Sequence, residues 1–121
     1  MTTHRIFATF ALLAVLGTAH ANRVLDQPER SFELSLSQLT MPSSANGGLT
    51  VKACADCAYA THVLTAGTVY LVNNQRVAFE DFSRIAGVVR ANRSSLDTAV
   101  AGVFIDIETG RVTRVALHYR P

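Results

Sequence analysis

Short segments that alternate apolar and polar residues constrain the fold of this chain more than any other feature of its sequence. Every second residue is apolar in Phe32 to Ser37 and in Leu49 to Ala53, and this period is typical of strands that are buried on one face. Two further segments, Tyr59 to Thr65 and Thr68 to Val72, are rich in β-branched and aromatic residues, which favour strands. We therefore expect a single β-rich globular domain over residues 32–121.

The C-terminal part of the chain predicts a hairpin whose register follows from burial. The segments Val100 to Glu108 and Arg111 to Tyr119 flank a Thr-Gly pair. A plain two-residue turn would place Ile105 opposite Arg114, whereas a bulged turn with Gly110 at positive φ keeps the apolar residues on one face. The bulged form predicts four pairs, which are Ile105 with Thr113, Phe104 with Arg114, Val103 with Val115, and Ala101 with Leu117.

One segment changes to helical spacing. Apolar residues recur at Phe79, Phe82, Ile85 and Val89, with acidic residues in the first turn, as an amphipathic helix requires. The polar segment 92–97 that follows is expected to be a loop, and the pair Asn73-Asn74 before the helix is expected to form a tight turn. The predicted fold is α+β, with an antiparallel sheet or partly open barrel of five to seven strands and one helix before the C-terminal hairpin. An all-β fold is the alternative.

The N-terminus has the layout of a secretory signal peptide. Arg5 precedes an apolar run from Ile6 to Leu16, and the small residues of Ala19-His20-Ala21 follow, as in a cleaved export signal. We expect residues 1–21 to be removed and residues 22–31 to be flexible. The product is then periplasmic or secreted, with no stable membrane anchor after cleavage.

The two cysteines form a Cys-x-x-Cys pair between two predicted strands. A four-residue turn brings Cys54 and Cys57 close enough for a disulfide, and an oxidising compartment favours that bond. We interpret the pair as a structural clip. A thiol-disulfide exchange site is the first alternative, and a metal site that includes His62 is the second.

A candidate binding surface lies on the polar face of the predicted hairpin. It comprises Phe104, Arg111, Arg114, His118 and Arg120, whose cations suit a small anionic ligand. The alternative is a solvated face of an edge strand, where charge prevents aggregation.

No catalytic residue, metal ligand or cofactor is predicted, and the function hypothesis is an exported, non-catalytic binding or assembly module. The rival is a periplasmic thiol-disulfide protein that acts through Cys54 and Cys57.

Charge and composition limit the partners. The chain has 11 Lys and Arg against 9 Asp and Glu, which argues against nucleic-acid binding. The expected partner is a protein or a small anionic ligand, and a homodimer through a sheet edge or face is a further hypothesis.

The segment Phe104 to Leu117 resembles the closing hairpin of PepSY-type domains, small exported modules associated with peptidase inhibition. The preceding helix and cysteine pair do not follow that family's pattern.

Overall fold

The computed structural model describes residues 28–121, which form two β-sheets and two α-helices. The predicted signal peptide, residues 1–21, lies outside this range, as do residues 22–27. A short 3-10 turn, Leu36–Gln38, follows the first strand. The strands are β1 (Glu29–Ser35), β2 (Leu39–Thr40), β3 (Gly48–Val51), β4 (Ala60–Val63), β5 (Val69–Val72), β6 (Gln75–Val77), β7 (Val100–Asp106) and β8 (Val112–His118), and the helices are α1 (Phe79–Ala91) and α2 (Arg93–Thr98).

The strands belong to one open five-stranded sheet and one three-stranded sheet. The larger sheet has the order β1-β7-β8-β5-β6, and the smaller has the order β2-β3-β4. This arrangement confirms the α+β class with a helix before the C-terminal strands. The larger sheet is mixed and not wholly antiparallel, because β5 lies parallel to β8. A parallel neighbour requires a long crossover connection, and here β6, α1, α2 and β7 lie between the two strands in the chain.

The first strand begins earlier than the sequence indicates. β1 starts at Glu29 and pairs with β7 along its whole length, from Glu29 opposite Asp106 to Ser35 opposite Val100. The last three residues of segment 22–31 are therefore part of the sheet, whereas the expected domain begins only at residue 32. These residues form a strand because they pair with β7, since their sequence does not alternate between apolar and polar residues.

The C-terminal hairpin confirms most of the predicted register. Val103 lies opposite Val115, Phe104 lies opposite Arg114, and Gly110 has a φ of 70°. The bulge falls between Phe104 and Ile105, so that Ile105 pairs with Val112 and the predicted pair with Thr113 is wrong. This shift places the side chain of Val112 in the core, where the Thr113 hydroxyl would be harder to accommodate.

Both helices follow from local chemistry. Helix α1 continues through Gly87 and ends at Ala91. The expected loop 92–97 is wrong, because Arg93–Thr98 form α2. The Asn92 side chain caps this helix by accepting hydrogen bonds from the backbone N–H groups of Ser94 and Ser95, which satisfies donors that a helix start leaves free. The Asn73-Asn74 turn is confirmed, with φ values of 46° and 68°.

The core lies on one face of the five-stranded sheet, which we call the inner face. Its central residues are fully buried, and Tyr70 on β5 packs its ring against Phe79 and Phe82 of α1. The smaller sheet approaches the same face, where the ring of His62 lies 6.4 Å from that of Phe32. Inner-face residues in the core cluster are Leu34, Tyr70, Val72, Ala101, Val103, Ile105, Val112, Val115 and Leu117.

Candidate functional site

The opposite side of the five-stranded sheet, which we call the outer face, carries the other half of each strand's side chains. The register aligns them in rows across the sheet, because opposite residues share a face. One row runs from Glu33 through Gly102 and Ala116 to Leu71, and it ends at Arg76. The neighbouring rows contain Ser31, Phe104, Arg114 and Val69 on one side, and Val100 and His118 on the other.

A depression lies at the centre of the outer face. Gly102 on β7 is opposite Ala116 on β8, so two small residues meet where the flanking rows have larger ones. The depression has a volume of about 330 Å³. Its walls include Glu33, Val100, Phe104 and His118.

Phe104, one of the residues that line the depression, stacks with a cation on the same face. The guanidinium carbon of Arg114 lies 3.8 Å from the centre of the Phe104 ring, a stacked arrangement that holds the planar cation in place. Within residues 28–121 the only ion pair is the one between Arg84 and Asp81. Arg114 therefore has no acidic partner in that part of the chain, and its N–H groups are available to an anion.

The structure brings together part of the predicted surface. Phe104 and His118 line the depression on the outer face, and Arg114 lies on the same face, stacked on Phe104. Arg111 lies in the turn before β8, where it forms an isolated bridge with Val63. Arg120 follows the end of β8, and its backbone N–H donates to the Thr98 hydroxyl. Arg111 and Arg120 are therefore outside the depression.

Sequence reasoning missed the residues that shape the depression. Gly102 and Ala116 carry no chemistry of their own, and Glu33 lies on a strand far away in the chain. The only signal in the sequence is that two small residues occupy opposite positions in the predicted hairpin register. Whether these two residues form an accessible depression depends on which face of the sheet the rest of the chain covers.

The cysteine pair lies in the connection between β3 and β4. Cys54 and Cys57 form a disulfide with a Cα–Cα distance of 4.9 Å, and the Cys57 N–H donates to the Cys54 carbonyl, so the predicted bond is confirmed. Cys54 is exposed, and the turn is followed by a strand and not by a helix. Beside the turn, the Lys52 ammonium lies 5.3 Å from the centre of the Tyr59 ring.

His62 shares a face with Leu49, which is fully buried. Its Nε2 atom is buried and has no hydrogen-bond partner among the described residues. Burial, with a smaller contribution from the positive charge of Arg30, lowers the pKa of His62 from its ordinary 6.5. In residues 28–121 no group of three His, Cys, Asp or Glu side chains is placed to hold a metal ion.

Comparisons with known proteins give no relative for this chain. No family model matches it, and no curated protein and no solved structure shows significant similarity to it. The resemblance to PepSY-type domains therefore stays confined to the hairpin residues that suggested it. Among residues 28–121, no helix has the length and apolar character needed to cross a membrane.

Proposed function

We propose that this chain is a small exported, non-catalytic binding module whose ligand occupies the outer face of the five-stranded sheet. The observation that carries the proposal is the depression above Gly102 and Ala116, which no described residue covers, beside the stacked Phe104 and Arg114. Concave sites with apolar walls and a few polar groups are the usual form of small-ligand sites. Export is supported by the N-terminal sequence and by the disulfide, which is typical of oxidising compartments.

The chemistry of the outer face indicates a ligand with two parts. The floor of Gly102 and Ala116, with Val100 and the Phe104 ring at the sides, suits an apolar group. Arg114 on β8 offers a planar guanidinium, which is suited to a carboxylate or a phosphate because it donates two parallel hydrogen bonds. We therefore expect the ligand to carry an anionic group next to an apolar one.

The charges on this face set the orientation of the ligand. Arg114 lies on β8 and Arg76 on β6, whereas Glu33 lies on β1 at the opposite edge of the sheet. An anion is attracted toward the side of the face near Arg114 and repelled from the β1 edge. The apolar part of the ligand then lies over Gly102, between these two sides.

Thiol-disulfide exchange is the rival function, and the exposure of Cys54 is the observation in its favour. The location of the pair argues against it, because the turn lies between two strands and offers no helix N-terminus, a feature with which exchange sites lower the pKa of a thiolate. Reduction potentials separate the two functions. A structural bridge has a value below about −300 mV, and exchange proteins lie at about −120 to −270 mV.

The binding proposal can be tested with simple probes of the expected chemistry. Phenylacetate and phenyl phosphate each combine a ring with an anion, and phenylacetamide is the matched neutral control. We expect the two anions to bind saturably to the protein expressed from the full sequence, as followed by amide chemical shifts. Phenylacetamide should bind about tenfold more weakly, because one charge-assisted interaction is lost.

Variants locate the site. Arg114→Gln should reduce phenylacetate affinity by about tenfold, whereas Arg111→Gln, which removes the same charge from the turn outside the depression, should leave the affinity unchanged. If no probe binds saturably, or if the two variants weaken binding equally, the outer face is not the binding site.

A further inference from the structure

Within residues 28–121, the edge strand β1 presents a long row of backbone groups that no other strand pairs with. It is seven residues long, and among the described strands it borders only β7. The other edge strands are shorter, since β6 has three residues, β2 has two and β4 has four. An exposed edge of this length is a template for pairing with another strand.

The hydrogen-bond pattern identifies which groups of β1 face outward from the sheet edge. The Ile107 N–H donates to the Pro28 carbonyl, and opposite residues in an antiparallel pair alternate between bonded and non-bonded positions. The backbone groups of Arg30, Phe32 and Leu34 therefore point toward β7. Those of Glu29, Ser31, Glu33 and Ser35 point toward the free edge. The Ser35 N–H donates instead to the Gln38 side chain, in agreement with this assignment.

A second copy of β1 can pair with this edge in the antiparallel register centred on Phe32, the middle residue of the strand. Pairing centred on Phe32 places Ser31 opposite Glu33 of the second copy, and Glu33 opposite its Ser31. These positions all have backbone groups that face the edge, so bonded positions meet bonded positions. A register centred on Ser31 would place Glu29 opposite Glu33, and one centred on Glu33 would place two glutamates together, and like charges directly opposite each other are destabilising.

We propose that the chain forms a symmetric dimer in which β1 pairs with β1 of a second copy in the register centred on Phe32. Each Glu33 carboxylate then accepts a hydrogen bond from a Ser31 hydroxyl of the other copy. The two Phe32 rings meet on the inner face at a non-bonded position, where side chains of opposite strands come closest. Phe32 is only partly buried in the single chain, and this contact buries it further.

The dimer goes beyond the proposed binding function and extends its surface. Ser31 and Glu33 border the depression on the outer face, so pairing at this edge places residues of the second copy beside each depression. The two outer faces then form one continuous surface across ten strands, which is the sum of the two five-stranded sheets. Binding at Arg114 is measured independently of dimer formation, so that either proposal can fail alone.

A charge exchange at two exposed positions tests the register. Ser31→Glu places two glutamate pairs opposite each other in the dimer and should weaken dimerisation by about tenfold. The double variant Ser31→Glu with Glu33→Lys replaces these with pairs of opposite charge and should restore it. Sedimentation equilibrium of the protein expressed from the full sequence measures the dissociation constants, and circular dichroism verifies that each variant is folded.

Hydrogen exchange provides a second measurement at the same edge. Protection of the Ser31 and Glu33 amides should increase with protein concentration, because the second copy supplies their acceptors. Protection of the Ser35 amide should stay constant, because its acceptor is the Gln38 side chain of the same copy. A chain that remains monomeric at high concentration, a dimer that Ser31→Glu does not weaken, or a double variant that stays weak would each overturn the proposal.

Discussion

The two faces of the five-stranded sheet are built from the same strands and differ in what covers them. On the inner face, α1 and the smaller sheet exclude water, and residues such as Val103 and Val115 are 0% exposed. On the outer face, within the described residues, Phe104 and Arg114 remain partly exposed and Val100 is 37% exposed. Alternation along a strand thus separates residues that stabilise the fold from residues that are available for contact.

The largest expected effect is the difference in stability between replacing a phenylalanine of the core and replacing one of the outer face. Phe82→Ala removes a ring that is 0% exposed and packs on Tyr70, and it should lower the free energy of unfolding by about 3–5 kcal/mol. Phe104→Ala removes a partly exposed ring and its stack with Arg114, and the loss should be about 1 kcal/mol. Urea unfolding curves measure both values.

Phe82→Leu is the substitute if the alanine variant does not fold. It keeps an apolar side chain in the core and should still cost more stability than Phe104→Ala. Equal losses at the two positions, or a larger loss at Phe104, would show that the outer face is as well packed as the inner one.

The disulfide belongs to neither face of the larger sheet, and its removal tests whether binding on the outer face is independent of the disulfide turn. Replacing Cys54 and Cys57 together with serine should lower the free energy of unfolding by less than about 3 kcal/mol, because the bond closes a very short loop. Phenylacetate binding on the outer face should not change. Reduced binding in a variant that is still folded would link the disulfide turn to the binding surface.

The two histidines of the described residues also differ in location, since His62 lies in the smaller sheet that approaches the inner face and His118 lies on the outer face. His62 has a lowered pKa because of burial, with a smaller contribution from Arg30, so the folded chain favours its neutral form. Neutral His62 contributes fully to the free energy of unfolding when the pH is above 6.5, the ordinary pKa of histidine. As the pH falls below that value the contribution decreases, because the unfolded chain binds the proton more readily than the folded chain. The loss should be below about 1 kcal/mol, since the imidazole is only partly buried.

Urea unfolding at a series of pH values measures this effect. His62→Gln should remove this part of the acid-dependent loss of stability. In His118→Gln the loss persists, because the acid-sensitive imidazole of His62 is still present. A pH dependence that is unchanged in His62→Gln would assign the acid sensitivity to other groups.

The smallest expected effect has opposite signs for stability and for binding. A Cβ atom at Gly102 would lie 3.4 Å from the Phe104 ring and 3.9 Å from the Ala116 Cβ, which are ordinary contacts. Gly102→Ala should therefore raise the free energy of unfolding by about 0.5 kcal/mol, because glycine costs more conformational entropy in a strand. The same methyl group fills the floor of the depression and should weaken phenylacetate binding. A variant that binds as well as the parent would separate the depression from the ligand.

The sequence predicts the local part of this fold and less of the remainder. The faces of the C-terminal hairpin follow from alternation, and the Asn73-Asn74 turn follows from residues that tolerate positive φ. The parallel pairing of β5 with β8 joins distant segments, and no local pattern encodes it. Helix α2 escapes detection because its stability at the N-terminus comes from the Asn92 side chain and not from apolar spacing.

The candidate site is likewise predicted only in part from the sequence. Phe104, Arg114 and His118 are predicted to share the polar face of the hairpin, because their positions have the same parity. The depression between them needs two further facts, which are that Gly102 faces Ala116 and that no described residue covers this side of the sheet. The contribution of Glu33 from β1 depends on the order of strands in the sheet.

Binding on the outer face can be located by a map of amide chemical-shift changes over the described residues as phenylacetate is added. We expect saturable changes that concentrate on Gly102, Phe104, Ala116 and His118, with little change in the disulfide turn. Changes that concentrate around Cys54 and Tyr59 would contradict it, as would changes that do not saturate.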